Sequence, residues 1–384
     1  MSAARRLAPA LAGILGMTAA EASSVPPIAG ARLEPFAFAD LKGWAADDHA
    51  AAFAAFRRTC EHLMRGEPAL RPARERDTAL DSACRAALAG EPADARTFFE
   101  AQFRPHAVIP HEGGGFLTGY YEPEFDGSRE RSARYSVPLL QRPDDLVTIP
   151  QGETWPGVGQ GLQAARRTAS DFEPYPDRAA IETGALGKAA KPLVYLAEPG
   201  EAFIIHVQGS ARIRLNEGGA MRVAYAGRNG QPYTSIGRIL VEQGEIPLKD
   251  MSLERLMGWL KTNPGPAQAL MRQNRSYIFF REAAELAPGD GPVGGAGHPL
   301  VPGRSLAVDR SIWSYGLPFW LEGEVPVGPG VSEPLARLMI AQDTGSAIVG
   351  PARGDFFWGT GRDAGTRAGL LRHPVRFVVL LPHP

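Results

Sequence analysis

Cysteine is scarce in this chain of 384 residues: there are two, Cys60 and Cys84. With no histidine set beside them, they do not make a zinc site, and no metal or cofactor is expected. Net charge is scarce too, with 41 Lys and Arg against 42 Asp and Glu. A nucleic-acid partner therefore has no basic footprint to bind. Beyond the first residues, no apolar run is long enough to span a bilayer. Internal repeats are missing. So is the second half of a protease motif. Asp343-Thr344-Gly345-Ser346 matches the run around a catalytic carboxylate of aspartic proteases. Those enzymes need two such aspartates sharing one proton. Asp77-Thr78 is followed by Ala79, and no other Asp-Thr-Gly or Asp-Ser-Gly exists.

What the chain does have is glycine (44) and proline (34), which favour a turn-rich, mainly β protein over a helical bundle. Its length suits about two domains. Arg5 and Arg6, the apolar stretch from Leu7 to Met17, and the small residues Ala20 to Ala22 predict an export signal cleaved before Ser23. No cysteine stands at the cleavage point, so a lipid anchor is not expected, and the chain is expected in the periplasm. In such an oxidising compartment Cys60 and Cys84 are expected to pair. Closing a loop of that length stabilises a fold by about 3 kcal/mol in the chain-entropy model.

Three helices are expected first. Phe53, Phe56, Cys60, Leu63 and Met64 form one stripe, with Asp47 or Asp48 as cap. Leu80, Cys84, Ala87 and Leu88 form a second, and "PADARTFFEAQF" supplies the third. From "HAVIPHEGGGFLTGYYEP" onward, short β-branched and aromatic runs alternate with Gly and Pro turns. "GFLTGYYEP", "YSVPLL", "PLVYLA", "AFIIHVQG", "ARIRLNEG" and "AMRVAYAG" read as strands, with His206 in mid-strand as a core residue. Helices follow at "TSIGRILVEQG", "SLERLMGWLKTN" and "PAQALMRQN". Strands return at "SYIFFRE", "RSLAVD", "LPFWLE", "ARLMIAQD" and "VRFVVLL". The order suggests one β domain interrupted by another.

Aspartates lie among aromatics near the C-terminus. Phe356, Phe357 and Trp358 follow Asp355, while Trp313, Tyr315, Phe319 and Trp320 lie between Asp309 and Glu322. Sugar rings stack on flat apolar side chains, and glycosidic cleavage needs an acid beside them. Core packing is the alternative for each aromatic. The glycine-rich run Gly359-Thr360-Gly361 and Ala364-Gly365 lacks the ending of a phosphate loop and reads as a turn, with Asp363 as a turn or cap residue.

"FLTGYYEPEFDGS", "FIIHVQGSARIRL", "RVAYAGRNGQPYTSIGRIL", "GPVGGAGHPLVPGRSLAVDRS" and "AQDTGSAIVGPARGDFFWGTGRDAGTRAG" occur in that order. Together they resemble the MltA family of lytic murein transglycosylases with its C-terminal three-aspartate (3D) domain. The resemblance implies a mainly β fold: a double-psi β-barrel with an inserted second β domain, plus the N-terminal helices. Boundaries are expected at 1–22 for the signal, 23–122 for helices and first barrel part, 123–259 for the insert and 260–384 for the rest of the barrel. It implies Asp355 as catalytic acid, with Asp343 and Asp309 as supporting carboxylates. Thr118, Tyr120, Gln208, Ser210, Arg212 and Trp358 are the expected substrate contacts. Arg214 and Arg222 join Arg212 as candidates for substrate carboxylates, with solvated strand faces as the alternative. Peptidoglycan glycan strands are the implied partner of a monomer, beside cell-wall synthesis or division proteins.

In such a lytic reaction the muramic 6-hydroxyl attacks its own C1, so a tethered nucleophile replaces water. One carboxylic acid then suffices, first as acid and then as base. Asp355 must stay protonated, so its pKa must exceed the ordinary value of about 3.9. Burial by its aromatic neighbours and repulsion from Asp343 or Asp309 are the expected causes. A hydrolase with Asp343 as base, and a cell-wall binder without catalysis, are the alternatives.

Overall fold

The computed structural model describes residues 28–383, apart from 151, 285, 288, 289, 329 and 330. The expected export signal lies outside the described residues. Strand β1 (Ala31–Pro35) is followed by helices α1 (His49–Met64), α2 (Thr78–Leu88) and α3 (Ala95–Gln102). Each helix starts on an aspartate: Asp48, Asp77 and Asp94 accept the N–H of Ala51, Ala79 and Arg96. Such caps satisfy donors that the first turn leaves free. The predicted stripes face inward, with Phe53, Phe56, Leu63, Leu80 and Ala87 buried. Each fully buried large apolar side chain contributes about 1.5–3 kcal/mol. Cys60 and Cys84 are bonded, tying α1 to α2 with their Cα atoms 5.0 Å apart. Among the described residues no helix is long and apolar enough to cross a membrane.

Strand β2 (Phe103–Pro110) pairs antiparallel with β1, and β3 (Phe116–Glu122) follows. The chain then enters a second sheet: β4 (Glu124–Ser128), β5 (Val137–Leu140), and a small meander of β6 (Leu146–Thr148), β7 (Ala164–Arg167) and β8 (Phe172–Pro174). Helix α4 (Arg178–Glu182), β9 (Pro192–Leu196), α5 (Pro199–Gln208), β10 (Ser210–Leu215) and β11 (Ala220–Arg228) come next. Helices α6 (Ile236–Glu242), α7 (Leu253–Thr262) and α8 (Pro264–Gln273) precede β12 (Ile278–Glu282). The second sheet has the order β12-β11-β10-β4-β9-β5.

Two expectations are corrected here. "AFIIHV" is not a strand but most of α5. Pro199 at its start and the reciprocal Glu198–Glu201 capping box fix a helical first turn. Its apolar run is continuous because both faces are covered: Ala202 and Ile205 pack on the second sheet, Phe203 and Ile204 on α6–α8. The second correction concerns the boundary at 259. Strand β12 pairs with β11, so the inserted sheet runs on to Glu282.

The remaining strands are β13 (Ser305–Val308), β14 (Pro318–Gly328), β15 (Val331–Asp343), β16 (Arg353–Thr360) and, after helix α9 (Arg362–Leu370), β17 (Arg372–Pro382). They close with β3 into a six-stranded ring, β17-β14-β15-β13-β16-β3, whose ends meet because β17 also pairs with β3. Pairs β13–β15 and β16–β3 are parallel, and the others antiparallel. This is the expected barrel, with β3 reaching it from before the insert. The run after Gly361 is a helix and not a turn; Ala364 and Gly365 lie inside α9 and Asp363 in its first turn.

Closure explains the aromatics. Trp313, Tyr315, Phe319, Trp320, Phe356 and Phe357 are all buried, so none offers an open stacking face for a sugar. The N-terminal helices dock on this barrel through polar contacts as well. Arg304 bonds Asp47 (2.8 and 3.0 Å), and Gln342 donates to Ala55 O and Thr59 Oγ1 (3.1 and 2.7 Å).

Candidate active site

A cleft of about 1050 Å³ opens between the barrel and the inserted sheet. Asp309, Asp343 and Asp355 line it from the barrel side, although 46 residues separate the first from the last. Register sets the position of Asp355 in mid-β16, where Thr118 of β3 lies opposite on one side and Ala307 of β13 on the other. Thr118 Oγ1 donates to Asp355 Oδ1 at 2.7 Å, and Arg353 Nη2 donates to Thr118 Oγ1 at 2.8 Å. Burial pushes the Asp355 carboxyl up to about 6. The Thr118 hydrogen bond and the Arg353 charge pull the other way, while the Asp343 charge adds a smaller upward push.

Asp343 ends β15 and is anchored differently. Its Oδ1 accepts the Gly295 N–H at 2.6 Å. Residue 295 must be small: a Cβ there would sit 2.6 Å from the Tyr315 hydroxyl and 3.2 Å from that same carboxylate oxygen. Burial raises the Asp343 carboxyl; the Arg71 charge and the N–H groups of Thr344 and Gly295 oppose it. The Tyr120 hydroxyl is buried towards both acids, and burial holds its proton well beyond the ordinary range.

Asp309 is committed to loops. One oxygen accepts from Ser311 N and Oγ (2.9 and 2.6 Å), the other from Gly350 N (2.7 Å). It thus pins the turn after β13 to the segment after Asp343. The Asp-Thr-Gly-Ser run opens that segment, and Thr344 Oγ1 locks it by donating to Val308 O at 2.8 Å.

Among the other sequence candidates, Thr118, Tyr120, Gln208 and Ser210 line the same cleft. Gln208 and Ser210 flank Gly209, whose φ of 81° turns the chain from α5 into β10. Tyr121, the neighbour of Tyr120, points away and packs on Ala364 and Ala368 of α9. Arg212 and Trp358 do not line the cleft. Arg212 faces Glu124 on the neighbouring strand at 3.6 Å. Trp358 stacks on Phe356 with ring centres 4.4 Å apart. Arg214 pairs with Asp126 (2.8 Å), and Arg222 with the fully buried Glu122 (2.8 Å), so neither is spare for a substrate. His206 is buried and structural, 3.0 Å from Arg178 Nη1. Among the described residues no group of three or more His, Cys, Asp or Glu is arranged to hold a metal ion.

Two family models match the chain: the MltA specific insert domain over residues 116–281, and the 3D domain over 304–381. A membrane-bound lytic murein transglycosylase from Agrobacterium tumefaciens superposes with a TM-score of 0.81, at 35% identity over 91% of this chain and 97% of that one. The chain belongs to the MltA family. Escherichia coli K12 membrane-bound lytic murein transglycosylase A is 33% identical over 275 residues, 70% of this chain and 66% of that protein's length. E. coli MltA with bound chitohexaose superposes with a TM-score of 0.62, at 28% identity over 86% of this chain and 90% of that one. In MltA terms, the insert model ends within β12 and the 3D model starts just before β13.

Other cleft residues of this MltA chain had no role legible in the sequence, although Arg353, Tyr225 and Tyr233 fall inside the matching segments. Arg353 lies two positions before Asp355 and reaches Thr118 across strands. Arg71 sits in the α1–α2 loop, donating to Thr344 O at 2.5 Å with its guanidinium 4.4 Å from the Tyr225 ring centre. Tyr225 and Tyr233 of the insert line the cleft. The segment "AMRVAYAG" reads as a strand, but only the tertiary fold says that Tyr225 meets the cleft.

Proposed function

We propose that this chain cuts the β-1,4 bond between N-acetylmuramic acid and N-acetylglucosamine in peptidoglycan, leaving 1,6-anhydromuramoyl ends, with Asp355 as the single acid and base. Asp355 supports this through its place: a buried carboxyl at a cleft wall, with a pKa pushed up to about 6. A fraction stays protonated near neutrality, as a general acid requires. The proton goes to the bridging glycosidic oxygen as the C1–O bond breaks. The muramic 6-hydroxyl oxygen bonds to C1 from the other end of the same sugar, and its proton returns to the Asp355 carboxylate. No water is consumed, and the acid is restored.

The other two aspartates fit supporting roles better. Both oxygens of Asp309 already accept hydrogen bonds from loops. Asp343 holds the Gly295 N–H and raises the pKa of Asp355. Thr118 orients the acid through its hydroxyl, so it acts on the substrate through Asp355. The cleft's shape suits an extended glycan lying between barrel and insert, and we place the enzyme at the cell wall after export.

The test is digestion of purified sacculi by the wild-type chain and Asp355→Asn, with mass analysis of the released fragments. Wild type is expected to release anhydro-muropeptides. Removing a general acid costs roughly 10²–10⁴-fold in rate, so the variant should bind sacculi and release almost nothing. Reducing ends in place of anhydro ends would make the chain a hydrolase. Undiminished turnover by the variant would remove Asp355 from the reaction.

A further inference from the structure

The cleft contains more arginine than acid chemistry needs. Arg71, Arg142, Arg178, Arg228, Arg281, Arg310 and Arg353 all line it. Four have set tasks. Arg281 donates to Glu282 O at 3.1 Å. Arg142 donates to Ala226 O and Leu146 O (both 2.9 Å). Arg178 donates to Asn274 O and Ser276 O (3.0 and 2.7 Å). Arg353 serves Thr118, as described.

The remaining three come from separate parts of the chain. Arg71 lies on the α1–α2 loop, Arg228 at the end of β11 in the insert, and Arg310 directly after Asp309 in the barrel. Among the described residues, none of them makes an ion pair within 4.0 Å. Arg310 spends one N–H on Pro72 O at 3.0 Å, Arg71 spends one on Thr344 O, and among the described residues the Arg228 side chain makes no hydrogen bond. A guanidinium carries five donors, so most donors of the trio are spare. The three are close enough to repel: the charges of Arg71 and Arg310 both act on Arg228, adding to the cost of its burial. Like charges gathered in a cleft are relieved by an anion between them.

We propose that Arg71, Arg228 and Arg310 form an anion subsite that takes a carboxylate on the lactyl–peptide arm of a muramic acid residue. The inference rests on the peptidoglycan reading above and deepens it. The anion must belong to the molecule that also reaches Asp355, because both sites share one cleft. A neutral glycan such as chitin has no such group, whereas every muramic acid carries the arm. The sequence candidates for this role were Arg212, Arg214 and Arg222; the fold pairs those with Glu124, Asp126 and Glu122 and leaves this other trio open.

The test measures binding in the Asp355→Asn background, so that turnover does not intrude. The probes are chitohexaose, a glycan oligomer stripped to free lactyl carboxylates, and the same oligomer bearing peptide stems. Arg228→Gln and, separately, Arg310→Gln are expected to weaken the stem-bearing oligomer about tenfold, roughly 1.4 kcal/mol. Chitohexaose should change less than twofold, and the excess affinity of the acidic probes should vanish at high salt. A loss on both acidic probes assigns the lactyl carboxylate; a loss on the stem-bearing one alone assigns the stem. Equal loss on chitohexaose, or no loss on any probe with melting temperature unchanged, overturns the subsite. Failure of the functional reading looks different: the unmutated chain would then release nothing from sacculi, whatever the arginine variants bind.

Discussion

In the barrel wall of the cleft, Asp355 sits in mid-strand with β3 on one side and β13 on the other; in the inserted wall, Arg228 stands at a strand end with only general charge around it. The barrel is a closed ring, so its polar groups cannot drift apart without breaking ladder hydrogen bonds. The insert is an open sheet that meets the ring through Pro123 between β3 and β4, the buried ion pair Glu122–Arg222, a hydrogen bond from Tyr121 N to Gln208 Oε1 and the packing of Leu253 on α9. A reacting proton tolerates little misplacement, and the ring supplies that rigidity. Recognition of a long polymer tolerates more, and the insert supplies reach.

The contrast can be broken most severely at the join. Glu122 is fully buried and held by Arg222 and by Thr360 Oγ1 at 2.7 Å. Arg222→Ala leaves that carboxylate uncompensated and is expected to cost about 3–5 kcal/mol, read as a lower urea midpoint. If the midpoint does not move, the insert is not fastened there.

A smaller effect is expected inside the ring. The Asp355 pKa is raised in the folded chain, so folding favours its protonated form. The penalty is absent below the unfolded value of about 3.9 and complete above the folded value of about 6. Asp355→Asn should therefore stabilise the fold at pH 7–8, on the order of 2 kcal/mol, and leave it unchanged at pH 3. Equal melting shifts at both pH values would mean that burial does not load this carboxyl.

The smallest effect sharpens the picture most. Thr118 stabilises the ionised form of Asp355. Thr118→Val removes that donor, so the Asp355 pKa should rise and the falling alkaline limb of the pH–rate profile should move to higher pH. The rate at the optimum should drop only a few-fold, within the range of one hydrogen bond. A limb that moves down or stays put would assign that titration to another group.

Much of this was legible in the chain itself. An Asp cap marked α1, apolar stripes marked α1 and α2, and the ordered motifs marked the barrel, the insert and the three aspartates. What escaped was whatever depends on who covers whom. Phe203 to His206 looked like a strand because apolar partners on both sides erase helical periodicity. Strand β16 was hidden because Gly354, Asp355 and Gly359 are turn formers, and only pairing with β3 and β13 makes them extended. The aromatics beside the acids seemed made for sugar, yet Phe356 and Phe357 are buried on opposite faces of β16, and Trp320 is covered by Trp44. Arg228 and Arg310 fall inside the matching segments and Arg71 outside them, but no spacing joins the three; only the folded chain brings them together.

The bridge between Cys60 and Cys84 spans 24 residues, and Arg71 rides on the segment it ties off. One finger of the cleft is thus strapped down by a bond that forms only where thiols oxidise. Apart from that bond, the finger is seated on the barrel by hydrogen bonds: Arg71 N to Gly295 O (3.0 Å), the Tyr315 hydroxyl to Arg71 O (3.0 Å) and Arg74 N to Arg310 O (2.8 Å). Reducing the bridge would free α2 from its covalent tie to α1 and leave the Arg71 segment to its hydrogen bonds alone.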